Sequence, residues 1–205
     1  MSGSSPVQAP HRVGAIWAQD RHGVIGADGH MLWRVPADFR HFRAATMGGV
    51  VIVGRTTWQS LGTALPGRLS VVLTRQQGWA DDAVARVAPT LADGMRHARE
   101  LAAGLGEDPR EGAYRALPRV WVIGGGSVYQ QALEAGVIDE LLVSVIDIDA
   151  VSAAARRGVA LSRPVSAPHL EPGTWAPDPE HSDPEGTWRP VSGDAPWRVE
   201  HYRRR

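Results

Sequence analysis

The sequence predicts an α/β fold: a single domain with a central, mostly parallel, twisted sheet flanked by helices, and an antiparallel hairpin at its C-terminal edge. Continuous apolar runs such as residues 50–53 and 120–123 are typical of strands covered on both faces, and they alternate with segments of helical periodicity. Near the C-terminus, residues 186–191 and 197–202 flank a Gly-Asp turn, which favours an antiparallel hairpin.

The first half of the chain alternates strands and helices, as βαβ units with parallel strands require. Pro36 favours the first position of a helix, because that position needs no backbone N–H. The predicted elements are a strand at 13–18, a mobile glycine-punctuated loop at 23–29, a helix at 36–46, a strand at 50–53, a short helix capped by Thr56 or Thr57, a turn at 65–68 and a strand at 69–73.

The second half continues this alternation and then changes character. The predicted elements are a strand at 83–87, a helix at 90–103, a surface loop at 104–118, a buried strand at 120–123, a helix from the glycines at 124–126 to residue 133, and a strand at 141–146. Eight of the fifteen prolines lie between Pro164 and Pro196, so regular helix is not expected there. Residues 150–196 are therefore an atypical proline-rich part of one domain spanning 13–205.

Composition narrows the possible functions. The 22 basic and 22 acidic residues cancel, so no general attraction to nucleic acid or to an anionic membrane is expected. A chain without cysteine cannot use disulfides or thiolates. Neither a signal peptide nor a transmembrane run is recognised, and residues 1–12 are predicted to form a flexible tail. We expect a cytoplasmic monomer that acts on a small molecule.

Asp38 is the residue that most directly suggests chemistry. In a helix that begins at Pro36, it shares one side with Val35 and Phe42. A carboxylate on an apolar and aromatic helix face must be desolvated, hydrogen-bonded or matched by a ligand. Acids are also common in first turns simply because they complement the helix dipole. Asp38 alone therefore leaves both interpretations open.

Three predicted strand ends carry groups that suit phosphate. Glycine permits close approach of the backbone, while arginine, hydroxyl and free N–H groups bind anions. The three segments are Gly54-Arg55-Thr56-Thr57, Leu73-Thr74-Arg75 and Gly124-Gly125-Gly126-Ser127. Ligands of open α/β sheets bind at the carboxyl ends of strands, so the sequence predicts a nucleotide at this edge. Arginines beside threonines favour the extra phosphate of NADP over the bare ribose of NAD.

Other familiar sites are not supported. Tyr129 stands where a dinucleotide fingerprint starting at Gly124 would have its third glycine. The sequence contains neither a Gly-Lys-Ser/Thr phosphate loop nor a Gly-x-Ser-x-Gly nucleophile motif. The eight histidines show no ligand spacing such as His-x-x-x-His, so no metal site is expected.

Several segments together resemble the dihydrofolate reductase family, in order and in spacing, over about residues 13–149 and again in the terminal hairpin. They are Val24-Ile25-Gly26, Met31-Leu32-Trp33, Val35-Pro36-Ala37-Asp38-Phe39, Phe42, Val53-Gly54-Arg55-Thr56-Thr57-Trp58, Leu65-Pro66-Gly67-Arg68 and Ile123-Gly124-Gly125-Gly126-Ser127-Val128-Tyr129. The resemblance implies reduction of 7,8-dihydrofolate to 5,6,7,8-tetrahydrofolate with NADPH, by hydride transfer to pterin C6.

The resemblance also implies roles for single residues. Asp38 would hold the N–H edge of the pterin and promote protonation of N5, with Trp33 positioning water; Met31 and Tyr129 complete the catalytic set. The implied substrate-binding residues are Ile16, Ala18, Asp38, Phe42, Leu61, Leu65, Arg68, Ile123 and Ser144, with Arg68 meeting the α-carboxylate of the glutamate tail. The implied NADPH-binding residues are Ala18, Ile25, Gly26, Gly54, Arg55, Thr56, Thr57, Leu73, Thr74, Arg75, Gly124, Gly125, Gly126, Ser127, Val128 and Tyr129.

Two features depart from the family pattern. Leu32 stands where a proline commonly precedes the tryptophan, so the stiffness of the loop at 23–32, the expected lid over the nicotinamide, can differ. After Asp147 the family motif Gly-Asp-Thr-x-Phe-Pro is missing, and residues 158–161 resemble it only faintly. The missing acid leaves open how the lid is hydrogen-bonded to its neighbouring loop.

Two alternatives stay open. A reductase of related fold could use NADPH on another pterin-like or pyrimidine substrate, although the pairing of Asp38 with Arg68 argues against it. The chain could also be a nucleotide-binding module without turnover, against which the presence of Asp38 and Trp33 argues.

Overall fold

A computed structural model describes residues 11–205, which are built around one large sheet. Within these residues the strands form a nine-stranded sheet and a separate two-stranded pair. The elements are β1 (Val13–Asp20), β2 (Val24–Ala27), α1 (Pro36–Thr46), β3 (Val50–Gly54), α2 (Arg55–Leu61), β4 (Leu69–Leu73), β5 (Arg86–Ala88), α3 (Leu91–Ala103), a 3₁₀ helix (Gly112–Ala116), β6 (Val120–Val122), α4 (Gly126–Glu134), β7 (Glu140–Ile146), α5 (Ala150–Arg156), β8 (Pro164–Ser166), β9 (Trp175–Pro177), β10 (Arg189–Ser192) and β11 (Ala195–Arg204).

The order of strands in the main sheet is β10-β11-β7-β1-β6-β3-β4-β5. The ninth strand, β9, pairs with residues 202–204 of β11. All neighbours from β7 to β5 are parallel, while β11 is antiparallel to β7, β9 and β10. The α/β fold with a mostly parallel sheet and an antiparallel C-terminal hairpin is therefore confirmed. Gly193 and Asp194 form the hairpin turn, as predicted.

The central strands are apolar throughout because both of their faces are covered. All four residues of the predicted strand at 50–53 are 0% exposed. Val50 and Ile52 pack in one hydrophobic cluster with Met95 of α3, whereas Val51 and Val53 pack in a second cluster on the other face. This alternation is the period of two that a strand imposes on its side chains.

Two short elements in the first half of the proline-rich part were not predicted. α5 forms because the Asp149 side chain accepts a hydrogen bond from the backbone N–H of Ser152 over 2.8 Å, which caps the helix before the prolines begin. β8 follows and pairs with β2, so the predicted loop at 23–29 contains a strand. Directly after β2, Asp28 and Gly29 form a two-residue turn that brings His30 back to pair with Ala27, with φ of 51° and 82°. Such an Asp-Gly pair is a hairpin signal that the sequence analysis overlooked.

The predicted surface loop at 104–118 contains the 3₁₀ helix and one buried charge. The Arg110 guanidinium donates to the carbonyls of Ala45, Leu117 and Pro118 and pairs with Asp108 at 2.7 Å. One guanidinium thus binds a carbonyl of α1, two carbonyls of the loop and the Asp108 carboxylate. The loop is therefore fixed to the end of α1 rather than free on the surface.

Residues 1–10 of the predicted tail lie outside the described residues. Arg12, the last residue of that predicted tail, forms an ion pair with Glu140 at the start of β7. None of the helices within residues 11–205 is long and apolar enough to cross a membrane.

His41 lies on the buried side of α1, between the 3₁₀ helix and β11. Its Nδ1 is 2.9 Å from the Tyr114 hydroxyl, and its ring centroid is 5.7 Å from that of Trp197. Burial, assisted by the positive charge of Arg189 and opposed by Asp183, lowers the pKa of His41 to about 4. The folded protein therefore holds this imidazole neutral.

A stability profile follows from the His41 pKa. The unfolded chain binds a proton at His41 near its ordinary pKa of 6.5 and the folded chain only near 4, so stability falls as pH drops between these values. The full shift corresponds to a loss on the order of 3 kcal/mol. We expect His41→Gln to flatten this part of the profile, measured by urea unfolding at about pH 7.5 and about pH 5. His169→Gln, at an exposed histidine, is the control; a parent-like slope in His41→Gln would contradict the assignment.

Candidate functional site

The predicted site residues meet at the carboxyl edge of the parallel strands. β1, β3, β4 and β6 run in the same direction, so the loops that follow them lie at one edge of the sheet. The loop at residues 124–126 follows β6, and the backbone N–H of Gly54, at the end of β3, donates to the carbonyl of Gly124 over 2.7 Å. This bond joins two of the three predicted anion-binding segments.

Asp38 is a buried acid in the first turn of α1, with 6% of its surface exposed. Burial raises the pKa of its carboxyl, while a hydrogen bond from the Ser144 hydroxyl works in the opposite direction. Asp93, in the first turn of α3, shows the contrast, because bonds from Thr90 and Arg96 lower the pKa of its solvent-facing carboxyl. Asp38 is therefore more than a residue that complements a helix dipole.

The start of α1 is held by the turn of the C-terminal hairpin. The backbone N–H of Ala37 donates to the Ser192 hydroxyl over 2.9 Å, and the N–H of Arg34 donates to the Asp194 carboxylate over 2.7 Å. At Gly193 a Cβ would lie 2.1 Å from the Arg34 carbonyl oxygen, so the turn approaches closely only because this residue has no side chain. Sequence reasoning missed these two contacts, since they join residues 155 and 160 positions apart.

An apolar cluster surrounds this helix start and contains most of the predicted substrate residues. Ile16, Trp33 and Ile123 are buried in it, and Ala18, Phe42 and Leu65 pack against it. The indole N–H of Trp33 has no hydrogen-bond partner among residues 11–205. A buried donor of this kind normally finds a partner, so it fits the predicted role of positioning water.

Two further predicted substrate residues lie toward the surface. Leu61 ends α2 and is 38% exposed. Arg68 donates to the Thr46 hydroxyl over 3.2 Å, and its guanidinium carbon is 5.9 Å from the centre of the Phe42 ring. Partial burial, with the nearby positive charge of Arg43, lowers the pKa of Arg68. The guanidinium is thus fixed beside the Phe42 ring rather than free in solvent.

The glycines at 124–126 form a loop, the glycine cradle, that packs too closely on its neighbours to hold side chains. A Cβ would lie 2.9 Å from the Tyr129 ring at Gly124, 2.7 Å from the Thr57 hydroxyl at Gly125, and 2.7 Å from Val165 at Gly126. The peptide bond between Gly124 and Gly125 is cis. α4 begins at Gly126, so its free backbone N–H groups face this loop, as an anion-binding helix start requires.

The other predicted cofactor residues fall into two groups. The exposed or half-exposed ones surround the same edge: Leu73 at the end of β4, Thr74 and Arg75 after it, Arg55, Thr56 and Thr57 in α2, and Ser127 in α4. The Arg55 guanidinium donates to Gln59 over 2.9 Å. Val128 and Tyr129 are buried instead, and the Tyr129 hydroxyl donates to the carbonyl of Ile16 over 2.7 Å. Burial raises the pKa of this hydroxyl well above its ordinary range.

The expected lid is tied to the proline-rich part of the chain. Its residues Ile25 and Gly26 belong to β2, whereas Met31 is 48% exposed. The Asp28 carboxylate accepts hydrogen bonds from the backbone N–H, at 3.0 Å, and from the hydroxyl of Ser162. The expected lid is therefore hydrogen-bonded to its neighbouring loop through an acid of its own, a contact that the sequence analysis did not identify.

Asp20 is another residue that the sequence analysis missed. Its fully buried carboxylate accepts hydrogen bonds from the backbone N–H groups of His22 and Val24, both at 2.8 Å, and of Ala150 at 3.0 Å. It thereby joins the end of β1, the first turn of the lid and the start of α5. An Asp after a strand is too common a signal to reveal this role.

The chain is similar to known proteins along most of its length. A sequence model described as dihydrofolate reductase matches residues 12–156. A dihydrofolate reductase of Mycobacterium tuberculosis is 43% identical over 124 residues, which cover 59% of this chain and 64% of that protein. A dihydrofolate reductase type 3 of Salmonella typhimurium is 36% identical over 135 residues, covering 66% of this chain and 72% of that protein. The chain thus spans less than two thirds of the mycobacterial protein.

A solved structure shows the same fold. It is a dihydrofolate reductase from Enterococcus faecalis complexed with NADP(H) and RAB-propyl, with a TM-score of 0.69 at 23% sequence identity. The alignment covers 94% of this chain and 96% of that one. The proline-rich part therefore does not prevent alignment over nearly the whole length. The match to residues 12–156 and the relatives above show that the chain belongs to the dihydrofolate reductase family.

Proposed function

We propose that this protein reduces 7,8-dihydrofolate to 5,6,7,8-tetrahydrofolate with NADPH. The observation that carries the proposal is the buried carboxyl of Asp38, beside the Ser144 hydroxyl, at the sheet edge that also holds the glycine cradle. A single acid in an apolar pocket is complementary to a ring that presents paired N–H groups. Family membership supports the same substrate.

Asp38 is the residue proposed to assist the proton that must reach N5. The carboxylate binds the N–H edge of the pterin, and its interaction strengthens as the ring becomes cationic, which stabilises the transition state more than the ground state. Burial raises the pKa of this carboxyl, so a proton is held more readily here than at an exposed acid. The hairpin contact at Ala37 holds the helix turn that carries this carboxyl.

The folate tail is proposed to lie along α1 and the turn that follows α2. Phe42, Leu61 and Leu65 offer apolar walls for the aminobenzoyl ring. Arg68 offers two parallel N–H donors for the α-carboxylate, in the geometry that a guanidinium provides and an ammonium does not. The contact of Arg68 with Thr46 and the Phe42 ring limits its motion before the ligand binds.

The residues at the carboxyl edge fit NADPH. Without side chains, the cradle at Gly124, Gly125 and Gly126 packs closely on Tyr129, Thr57 and Val165, and this packing leaves its backbone bare beside the start of α4. The first turn of α4 supplies N–H groups for a pyrophosphate. Arg55 and Arg75, beside Thr56 and Thr74, are the residues proposed to bind the additional phosphate. When bound, NADPH supplies the hydride; the protein residues orient the two ligands and exclude water.

Both ligands in this proposal are dissolved small molecules, and a formal net charge of zero gives no general attraction to nucleic acid. We therefore propose a cytoplasmic monomer without a nucleic-acid partner.

The first experiment tests the activity and Asp38 together. The parent protein should consume NADPH in the presence of dihydrofolate, followed by the loss of NADPH absorbance. Asp38→Asn should lower kcat/KM at neutral pH by about 100-fold or more, because the carboxyl that promotes proton transfer is gone. Asp93→Asn, also at a first-turn acid, should keep the parent rate. No oxidation by folded parent protein would exclude the enzyme activity, and a fully active Asp38→Asn would exclude the role of Asp38.

The second experiment tests the phosphate-binding arginines. We expect a strong preference for NADPH over NADH, and the double variant Arg55→Ala with Arg75→Ala should lower kcat/KM for NADPH by about tenfold or more while changing the NADH value little. Arg96→Ala, which removes an exposed arginine on α3, is the control. Equal losses with the two cofactors would contradict this assignment.

The third experiment tests the tie between the lid and Ser162. Asp28→Ala removes an exposed acceptor, so we expect little change in unfolding free energy but a severalfold slower hydride transfer in single-turnover kinetics, since the lid is less well held. Ser162→Ala should reproduce part of the loss. Unchanged rates in both variants would show that the contact does not serve lid closure.

A further inference from the structure

A second cluster of chemically active side chains lies away from the candidate site, where the proline-rich part meets the C-terminal strand. Asp178 directly follows β9, His181 lies three residues later, and His201 is in β11. Each offers one ligand atom, and these three atoms lie within 4.8 Å of one another. The two histidines are 20 residues apart in sequence, so spacing alone gave no sign of the cluster.

The distances from Asp178 to the two histidines are close to those between ligands of a small cation. His181 Nδ1 is 2.9 Å and His201 Nδ1 is 3.2 Å from the same carboxylate oxygen of Asp178. Ligands about 2.0–2.2 Å from a tetrahedral zinc ion are roughly 3.3 Å from one another. The two distances to Asp178 lie within a few tenths of an ångström of this value. The two histidine nitrogens lie within 4.8 Å of each other, so binding an ion would draw the exposed His181 ring toward His201.

His201 is already oriented as a buried metal ligand. Its side chain is 1% exposed, and its Nε2 lies 3.0 Å from the buried carboxylate of Glu140. In the neutral tautomer that donates its Nε2 proton to Glu140, the Nδ1 atom of His201 carries the lone pair. This Nδ1 has no hydrogen-bond partner among the described residues, so its approach to Asp178 is not a well-directed hydrogen bond. A carboxylate behind a histidine is the arrangement that fixes the ring of a metal-binding histidine.

The surroundings of the cluster leave room for an ion and for a water ligand. The Arg203 side chain forms an ion pair with the same Asp178 oxygen at 2.8 Å, and it is 52% exposed, so it can turn into solvent when a cation takes that oxygen. The His181 side chain is 35% exposed, which leaves room for water as a fourth ligand. Two imidazoles and one carboxylate suit a borderline ion such as zinc better than magnesium or calcium, which prefer oxygen ligands.

We propose that Asp178, His181 and His201 bind one Zn²⁺ ion, with water as the fourth ligand. The ion would join the turn after β9 to β11 and, through Glu140, to β7. None of these residues belongs to the proposed catalytic site, so the metal site stands or falls separately from the proposed reduction.

The test uses the full chain without an affinity tag, stripped of metal with a chelator and titrated with Zn²⁺ by calorimetry. We expect one equivalent of Zn²⁺ to bind, and His181→Ala to weaken this binding at least about tenfold, because a single ligand is lost. His169→Ala, at a histidine that lies outside the cluster, should bind as the parent does. Mg²⁺ should not bind at this site.

Two further measurements guard against misfolding and nonspecific binding. Asp178→Asn keeps the shape of the side chain and removes its charge, so it should also bind Zn²⁺ at least about tenfold more weakly. Zn²⁺ should raise the Tm of the parent and not that of either variant. Circular dichroism shows that each variant is folded before it is titrated. The proposal is overturned if the parent binds no stoichiometric Zn²⁺, or if folded His181→Ala and Asp178→Asn bind it as tightly as the parent.

Discussion

The parallel pairing of β1 with both β6 and β7 is the constraint on which the rest of the molecule depends. It brings strands that are more than a hundred residues apart in sequence into register along their whole shared length. Because all three strands run the same way, the cradle after β6 and the lid after β1 open at one edge. A single-residue slip of β1 would turn Ile16 and Trp17 to the wrong faces and dismantle both clusters.

Burial has opposite consequences at Asp38 and at His41, although both lie on α1. At Asp38 the apolar surroundings leave one carboxyl with little competition from water, and the ligand proposed for this site would gain from replacing that water. At His41 the same surroundings keep an imidazole uncharged, which makes the fold sensitive to acid without any evident chemical role. The same apolar surroundings thus serve the proposed function at Asp38 and lower the stability of the fold in acid at His41.

Local chemistry explains what sequence reasoning could predict. Pro36 marks the start of α1, the apolar run at 50–53 becomes the buried β3, and the Gly-Asp pair at 193–194 becomes the last hairpin turn. Contacts without a local signature were missed. The tie between Asp28 and Ser162 spans 134 residues, and nothing near either residue specifies the other. Placement of the site residues at one edge followed from the parallel sheet, whereas the side chains that hold them there did not.

The clamp on α1 has a consequence for the order of events during synthesis. The helix that carries Asp38 leaves the ribosome about 150 residues before Ser192 and Asp194, which hold its first turn. A nascent chain that has completed β1 to β7 therefore has its central strands but not a fixed Asp38. The pocket proposed around this acid is therefore complete only after the hairpin has emerged and docked, which makes its assembly a late event on the translating chain.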